Sequence, residues 1–221
     1  METEHKLILG NLHEVVKVTS LIEEGLFEQT RYYAEKREIA GELHDRKGVL
    51  LHRFGAIPDA VVKEYYGDGA VKRALTFKGG MAHGRGIDYY PSGEIFEENM
   101  FRRGRLHGLC KTYRRDGLLW IEATYKDGKL HGNFTSYHDN GNTETKGQYQ
   151  KGKLDGPYAA YDRYGGLLEE GLFKHGKKQG IHRSYHETGH IARSATYDDG
   201  ELVAIEEFDE EGRMVGVAGP G

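Results

Sequence analysis

Cysteine is nearly missing from this chain. Cys110 is the only one in 221 residues, so no internal disulfide framework can form and nothing demands an oxidising compartment. No apolar run approaches membrane-spanning length. Met1 to Lys6 is charged and lacks the apolar stretch of a signal peptide, so a soluble, cytoplasmic protein is expected. Hydrophobic residues make up 37% and charged residues 30%, less apolar material than a thick two-layer core wants and enough for a thin sheet. A net charge of −4 gives no general drive toward nucleic acid, and none is expected as a partner.

What the chain has is a period. Its skeleton recurs every 24 residues. One glycine series is Gly84, Gly108, Gly132, Gly156 and Gly180; a second runs from Gly80 and Gly104 to Gly200; a third from Gly69 and Gly93 to Gly189. Phe77, Phe101, Tyr125, Tyr149, Phe173 and Tyr197 keep the same step, as do Tyr65, Tyr89, Tyr113, Tyr137, Tyr161 and Tyr185. Asp116-Gly117, Asp127-Gly128, Asn140-Gly141 and Asp199-Gly200 are hairpin signals, because tight hairpins need positive φ. Between turns, Leu119, Ile121, Ala123 and Tyr125 alternate with Trp120, Glu122 and Thr124, which is strand periodicity. The fold class expected is therefore all-β: a meander of β-hairpins, two short antiparallel strands to a repeat.

Two details of register follow. Except at Leu75, a mostly small residue (Asn99, Ala123, Gly147, Gly171, Ala195) precedes each aromatic by two, which lets the next ring lean across, so the rings should stack along the array. A three-residue loop at Arg115-Asp116-Gly117 would set Tyr113 opposite Leu119 and on the Tyr125 face; a four-residue loop would move it to the other face. The three-residue loop is favoured because it keeps Tyr113 with Leu119 and Ile121.

Gly132-Asn133-Phe134-Thr135-Ser136-Tyr137, Asn140-Gly141 and Tyr125-Lys126-Asp127-Gly128-Lys129-Leu130-His131-Gly132 resemble the MORN repeat, in its short bacterial-style variant. Gly156-Pro157-Tyr158-Ala159-Ala160-Tyr161 resembles it too, whereas Gly86, Cys110 and His182 stand where the first aromatic belongs. The resemblance implies an elongated, twisted single antiparallel sheet that associates with another protein or with lipid. Many such variants carry the label of YwqK-like antitoxins, so the resemblance also admits an antitoxin or immunity role against a toxin partner.

The regular array is read as residues 63–202, preceded by degenerate repeats or a cap over 1–62 and followed by a capping strand at 203–214 and a flexible tail at 215–221. Ser20 to Phe27 nearly copies Gly166 to Phe173, and Asp45-Arg46-Lys47-Gly48 parallels Arg102-Arg103-Gly104, so the array is expected to start near residue 12. A helix over Leu12 to Ile22 is the alternative. Ala56 to Asp59, with Pro58, reads as a loop insert. The acidic stretch Asp198 to Gly212 reads either as charge protecting a sheet edge or as an acidic docking segment.

No catalytic constellation is apparent, and neither a cofactor nor a metal is expected. His83, His107 and His131 share one repeat slot, but equivalent positions lie roughly 10 Å apart in such a sheet, too far to share a zinc ion whose ligands sit about 2.0–2.2 Å away. They are read as turn residues, and His182, His186 and His190 as solvated turn histidines. Cys110 has no Cys-His-Asn spacing around it and reads as a small core residue. Glu97-Glu98 and Glu169-Glu170 are strand neighbours pointing to opposite faces, so neither pair can share acid–base work. The candidate partner-binding residues are a basic row on the rim of the Gly80 to Gly176 turns: Arg102, Arg103, Arg105, Lys126, Lys129, Lys151, Lys153, Lys174, Lys177 and Lys178. The expected function is a non-enzymatic scaffold for another protein, the alternatives being toxin neutralisation and contact between the basic rim and anionic lipid.

Overall fold

The computed structural model describes residues 15–22, 27–35, 37–57 and 59–219, and every regular element among them is a strand. In chain order these are β1 (Val15–Ile22), β2 (Phe27–Ala34), β3 (Arg37–Asp45), β4 (Leu50–Gly55), β5 (Val61–Tyr65), β6 (Val71–Lys78), β7 (Met81–Tyr89), β8 (Ile95–Arg102) and the short β9 (Arg105–Leu106). There follow β10 (Gly108–Tyr113), β11 (Leu119–Lys126), β12 (Lys129–Tyr137), β13 (Thr143–Gln150), β14 (Lys153–Tyr161), β15 (Leu167–Lys174), β16 (Lys177–Tyr185), β17 (Ile191–Asp198), β18 (Glu201–Phe208) and β19 (Met214–Ala218). The chain forms two compact units, Met1–Arg105 and Leu106–Gly221.

In the second unit each strand from β10 to β19 pairs antiparallel with the next, the meander expected from the period. Two turn types alternate. Lys126 pairs with Lys129 across Asp127-Gly128, whose φ values are +51° and +83°; positive φ at both positions is the type I′ hairpin, which suits the strand twist. The same geometry recurs at Lys151-Gly152, His175-Gly176 and Asp199-Gly200. The other turn is the favoured three-residue loop. Gly117 donates to the Arg114 carbonyl and Arg114 to the Leu118 carbonyl, with Gly117 left-handed at +83°.

Successive hairpins are tied together at both rims. The Gly128 amide donates to the Leu106 carbonyl, Gly152 to Leu130, Gly176 to Leu154 and Gly200 to Lys178, all at 2.7–2.9 Å. On the opposite rim the Arg114 guanidinium, the His138 ring and the His186 ring bond the carbonyls of Tyr137, Tyr161 and Phe208, respectively. These bonds give turn groups protein partners that water would otherwise supply.

The first unit departs from a pure meander. Its strands run β4-β3-β2-β1-β5-β6-β7-β8, antiparallel except that β1 and β5 pair in parallel, Val15 with Val62 and Val16 with Lys63. After β4 the chain crosses back, through the insert around Ala56 to Asp59, to lay β5 on the far side of β1. The crossing is held by packing: Val15, Tyr32, Ala40 and Val62 are buried together, and Ile57 and Ala60 from the connection sit against them. Gly55 starts it with φ +66°; a Cβ there would lie 2.1 Å from the Ile39 carbonyl oxygen, so only glycine fits.

Val15–Ile22 is strand, as an array beginning near residue 12 requires and against the helix alternative, and it pairs with β2 along its whole length; 12–14 lie outside the described residues. Other expectations need correction. Ser20 to Phe27 is not the counterpart of Gly166 to Phe173, because Ile22 and Phe27 face each other as the last pair of a hairpin while β15 runs unbroken; residues 23–26 lie outside the described set. Gly48 donates to the Asp45 carbonyl and Asp45 to Val49, so that turn belongs to the Gly117 type, not the Arg103-Gly104 type. The proposed tail is strand: β19 pairs with β18, Ile205 with Ala218 and Glu206 with Val217, and only 220–221 of it fall outside the described residues. The acidic β18 is therefore covered by β19 and is not the edge.

Candidate functional site

The two faces of the second unit differ. One row of paired residues crosses it from strand to strand: Cys110, Ala123, Phe134, Gly147, Tyr158 and Gly171, then His182, Ala195 and Ile205. Large and small alternate, and the rings lean over the small positions as anticipated. Phe134 meets Tyr149, Tyr158 meets Phe173, and His182 lies between Phe173 and Tyr197, all edge to face at 5.1–5.7 Å between centroids. Each such contact contributes about 0.5–1.5 kcal/mol beyond area burial. This face is the structural one.

His182 belongs to it, which overturns its reading as a solvated turn residue. It is buried and bonds the Leu172 carbonyl through Nε2 at 2.8 Å. A carbonyl only accepts, so Nε2 carries the proton, and Nδ1 is left buried without a hydrogen-bond partner. Burial accordingly pushes its pKa below the ordinary histidine value, the bond to Leu172 opposing only in part. His186 and His190 bond the Phe208 and Glu210 carbonyls and tie rim turns together. The shared slot of His83, His107 and His131 has the same use further on: Asp155 and Gln179 accept the backbone N–H groups of His175 and Asp199, and His107 Nδ1 stands 3.4 Å from Asp127. Cys110 is buried against Ala123.

The opposite face carries the chemistry that the register reading misplaced. Tyr113 does pair with Leu119, but Thr112 pairs with Ile121, leaving Trp120 as an extra residue. Alternation along β10 already sets Tyr113 on the Lys111 side, away from Cys110 and Thr112; the bulge in β11 carries Leu119 across to that side, opposite Tyr113 and off the Tyr125 face. Tyr137, Tyr161 and Tyr185 follow the same alternation, with equivalent shifts in the strands opposite them, so this tyrosine series lines the open face instead of joining Tyr125. Beside it runs a row of paired charges. Lys111 lies 3.3 Å from Glu122 and Arg183 lies 3.4 Å from Glu170. The Tyr185 hydroxyl donates to Glu170 at 2.7 Å, and the Lys146 ammonium stands 5.9 Å over the Tyr161 ring. Partial burial, with this bond and the Glu170 charge, holds the Tyr185 hydroxyl protonated above its usual range.

Across β12 to β16 this face forms a groove of about 680 Å³, lined by Lys146, Pro157, Tyr161, Leu172, Ile181 and Arg183 among others. Leu172 and Ile181 are 46% and 49% exposed, large apolar side chains facing solvent beside paired ions. The mixture of an apolar floor, oriented charges and aromatic hydroxyls is what a protein-binding surface uses. The signal for it in the sequence was the second tyrosine series, which alternation alone sets on the open face; the bulge that brings Leu119 across to Tyr113 was not readable.

The basic residues flank type I′ turns in each unit. In the first unit Arg102, Arg103 and Arg105 are exposed around the Arg103-Gly104 turn. In the second, Lys126, Lys129, Lys151, Lys153, Lys174 and Lys177 are exposed and Lys178 is half-buried. Not all are available: Lys177 bonds Asp199 at 2.6 Å, and Lys178 bonds Glu169 at 3.0 Å while standing over the Tyr197 ring. The hydrogen bond from Lys177 holds the Asp199 carboxyl below its usual pKa.

No curated protein shows significant sequence similarity to the chain. The family model described as MORN repeat variant matches residues 106–127, 130–151 and 178–199, and that described as MORN repeat matches residues 76–95. These segments coincide with hairpins of the array, from β9 to β13, from β16 to β17 and from β6 to β8; over them the chain is similar to the MORN repeat.

Proposed function

We propose that this protein is a non-enzymatic scaffold whose second unit binds another protein along the groove face of β12 to β16. The observation that carries this reading is the pairing of exposed Leu172 and Ile181 with the fixed charges of Lys146, Glu170 and Arg183 on a face that the ring-stacked side does not need for folding. Burying the exposed half of two such side chains supplies roughly 1 kcal/mol each, and the charges set orientation and partner choice more than affinity. The test is affinity capture from the native host with the parent and a Leu172→Asp/Ile181→Asp variant. A partner held by the parent and lost by the variant supports the reading; equal capture by both sinks it.

The exposed rim lysines Lys126, Lys129, Lys151 and Lys153 support a second reading, contact with an anionic lipid surface. Liposome sedimentation of the parent and of a variant with Arg102, Arg103, Arg105, Lys126 and Lys129 changed to Gln tests it. Anionic vesicles should retain the parent more than the variant, with the difference shrinking as salt rises. Equal retention makes the rim a solvated edge. Neutralisation of a toxin partner is a special case of the first reading, and rescue of growth by co-expression would identify it.

A further inference from the structure

β19 is unlike any other strand of the second unit. Among the described residues β18 is the one strand paired with it, so its outer backbone groups are unpaired. It contains no charged residue and no proline, yet Met214, Val215 and Val217 are 54%, 65% and 70% exposed. Natural sheets blunt such edges with charge, proline or a bulge; β19 has neither of the first two, and a register shift against β18 falls at Val215, between Gly216 opposite Glu207 and Met214 opposite Phe208. Here the acids Glu201, Glu206 and Glu207 lie one strand inward, on β18.

The sequence of β19, Met214-Val215-Gly216-Val217-Ala218, reads nearly the same in both directions about Gly216. We propose that β19 pairs antiparallel with β19 of a second copy, centred on Gly216, joining two second-unit sheets across a two-fold axis. In that register Val215 lies opposite Val217 of the second copy and Val217 opposite its Val215. Residues two apart in a strand share a face, so the four valines form one apolar cluster. Met214 meets Ala218, and Gly216 meets its own equivalent without crowding.

The face is known from the ladder. Val217 pairs with Glu206, Glu206 with Ser194, Ser194 with Arg183 and Arg183 with Glu170, so the valine cluster lies on the groove face. The charges at the ends agree with the register. Arg213 falls opposite Gly219 of the second copy and is already held by Asp209 at 2.8 Å and Glu211 at 2.9 Å, so no like charges meet. A two-fold pairing satisfies both copies with one contact and closes. Pairing of β19 with β4 of another copy would instead leave ends free and propagate; β4 is exposed along its length but carries His52 and Arg53.

The test is sedimentation velocity and light scattering on the full chain, from the lowest detectable concentration to the solubility limit. Three proteins are compared: the parent, Val215→Lys/Val217→Lys, and Leu51→Lys on β4. The substituted side chains all face solvent, and circular dichroism with thermal unfolding checks that each variant keeps the parent fold. The parent should form a reversible dimer, the double variant should be a monomer, and Leu51→Lys should remain a dimer. A parent that is monomeric throughout overturns the proposal. So does a dimer that survives both lysines, or an open-ended polymer that Leu51→Lys abolishes.

Discussion

His182 shows how one residue can be read wrongly and still obey the pattern. It stands in the slot of Phe134 and Tyr158, packs between Phe173 and Tyr197, and is buried with its Nδ1 unbonded. Its pKa is lowered in the folded state, so the unfolded chain takes up a proton first as pH falls. The stability it lends is complete above the ordinary histidine pKa of about 6.5 and is lost as pH falls through the lower folded value. A urea-unfolding series should show the parent weakening across that window relative to His182→Phe, whose profile should be flatter. Gly171 is the complementary case. Its backbone is not left-handed, but a Cβ would come within 2.2 Å of His182 Nδ1 in a packed stack. Gly171→Ala should cost about 1–3 kcal/mol by overpacking. Gly147→Ala should cost less, because its nearest contact is the end of the flexible Leu154 side chain at 2.9 Å. Tyr32, buried and with Glu42 nearby, has its hydroxyl pKa pushed up to about 12. Its neutral form is favoured by folding, so its contribution is intact below pH ~10 and lost as pH rises through the folded value. Tyr32→Phe should lessen the alkaline loss of stability.

At the scale of elements, the unit is a strand pair bonded forward to the next pair at both rims. A turn glycine in an isolated hairpin exchanges its amide hydrogen freely. Here the amides of Gly128, Gly152, Gly176 and Gly200 donate to carbonyls of neighbouring hairpins. Hydrogen exchange should find them slow, while Gly165, whose amide bonds only within its own turn to Asp162, should exchange faster. The strands and turns were legible because their causes are local: Asp127-Gly128 fixes positive φ, and Leu119 to Tyr125 alternates. The face of Tyr113 follows from alternation with Cys110 and Thr112 along its own strand; what was not legible is that Leu119 leaves the Tyr125 face to meet it, because that depends on one extra residue at Trp120. Neither was the parallel pairing of β1 with β5, which arises from packing of Val15, Tyr32, Ala40 and Val62 beneath a crossing connection. β19 is not legible either, because a five-residue apolar strand without turn glycines of the 24-residue series carries no period.

For the whole molecule, sharing of labour between faces is the main consequence. In the second unit, rings and small residues hold one face together, and stability is spread along neighbouring hairpins as in other repeat arrays. The other face is thereby left to carry tyrosines, ion pairs and exposed Leu172 and Ile181 without the constraint of forming a core. The groove was not legible as a site, since the basic rim was the more conspicuous feature of the sequence. The two can be separated in a single comparison: quantitative affinity capture with the parent, the Leu172→Asp/Ile181→Asp variant and the five-residue rim variant, each first shown by circular dichroism to keep its β spectrum. A scaffold that works through its groove predicts a partner retained by the parent and the rim variant and lost from the groove variant. Retention by the groove variant, with loss from the rim variant, would contradict it.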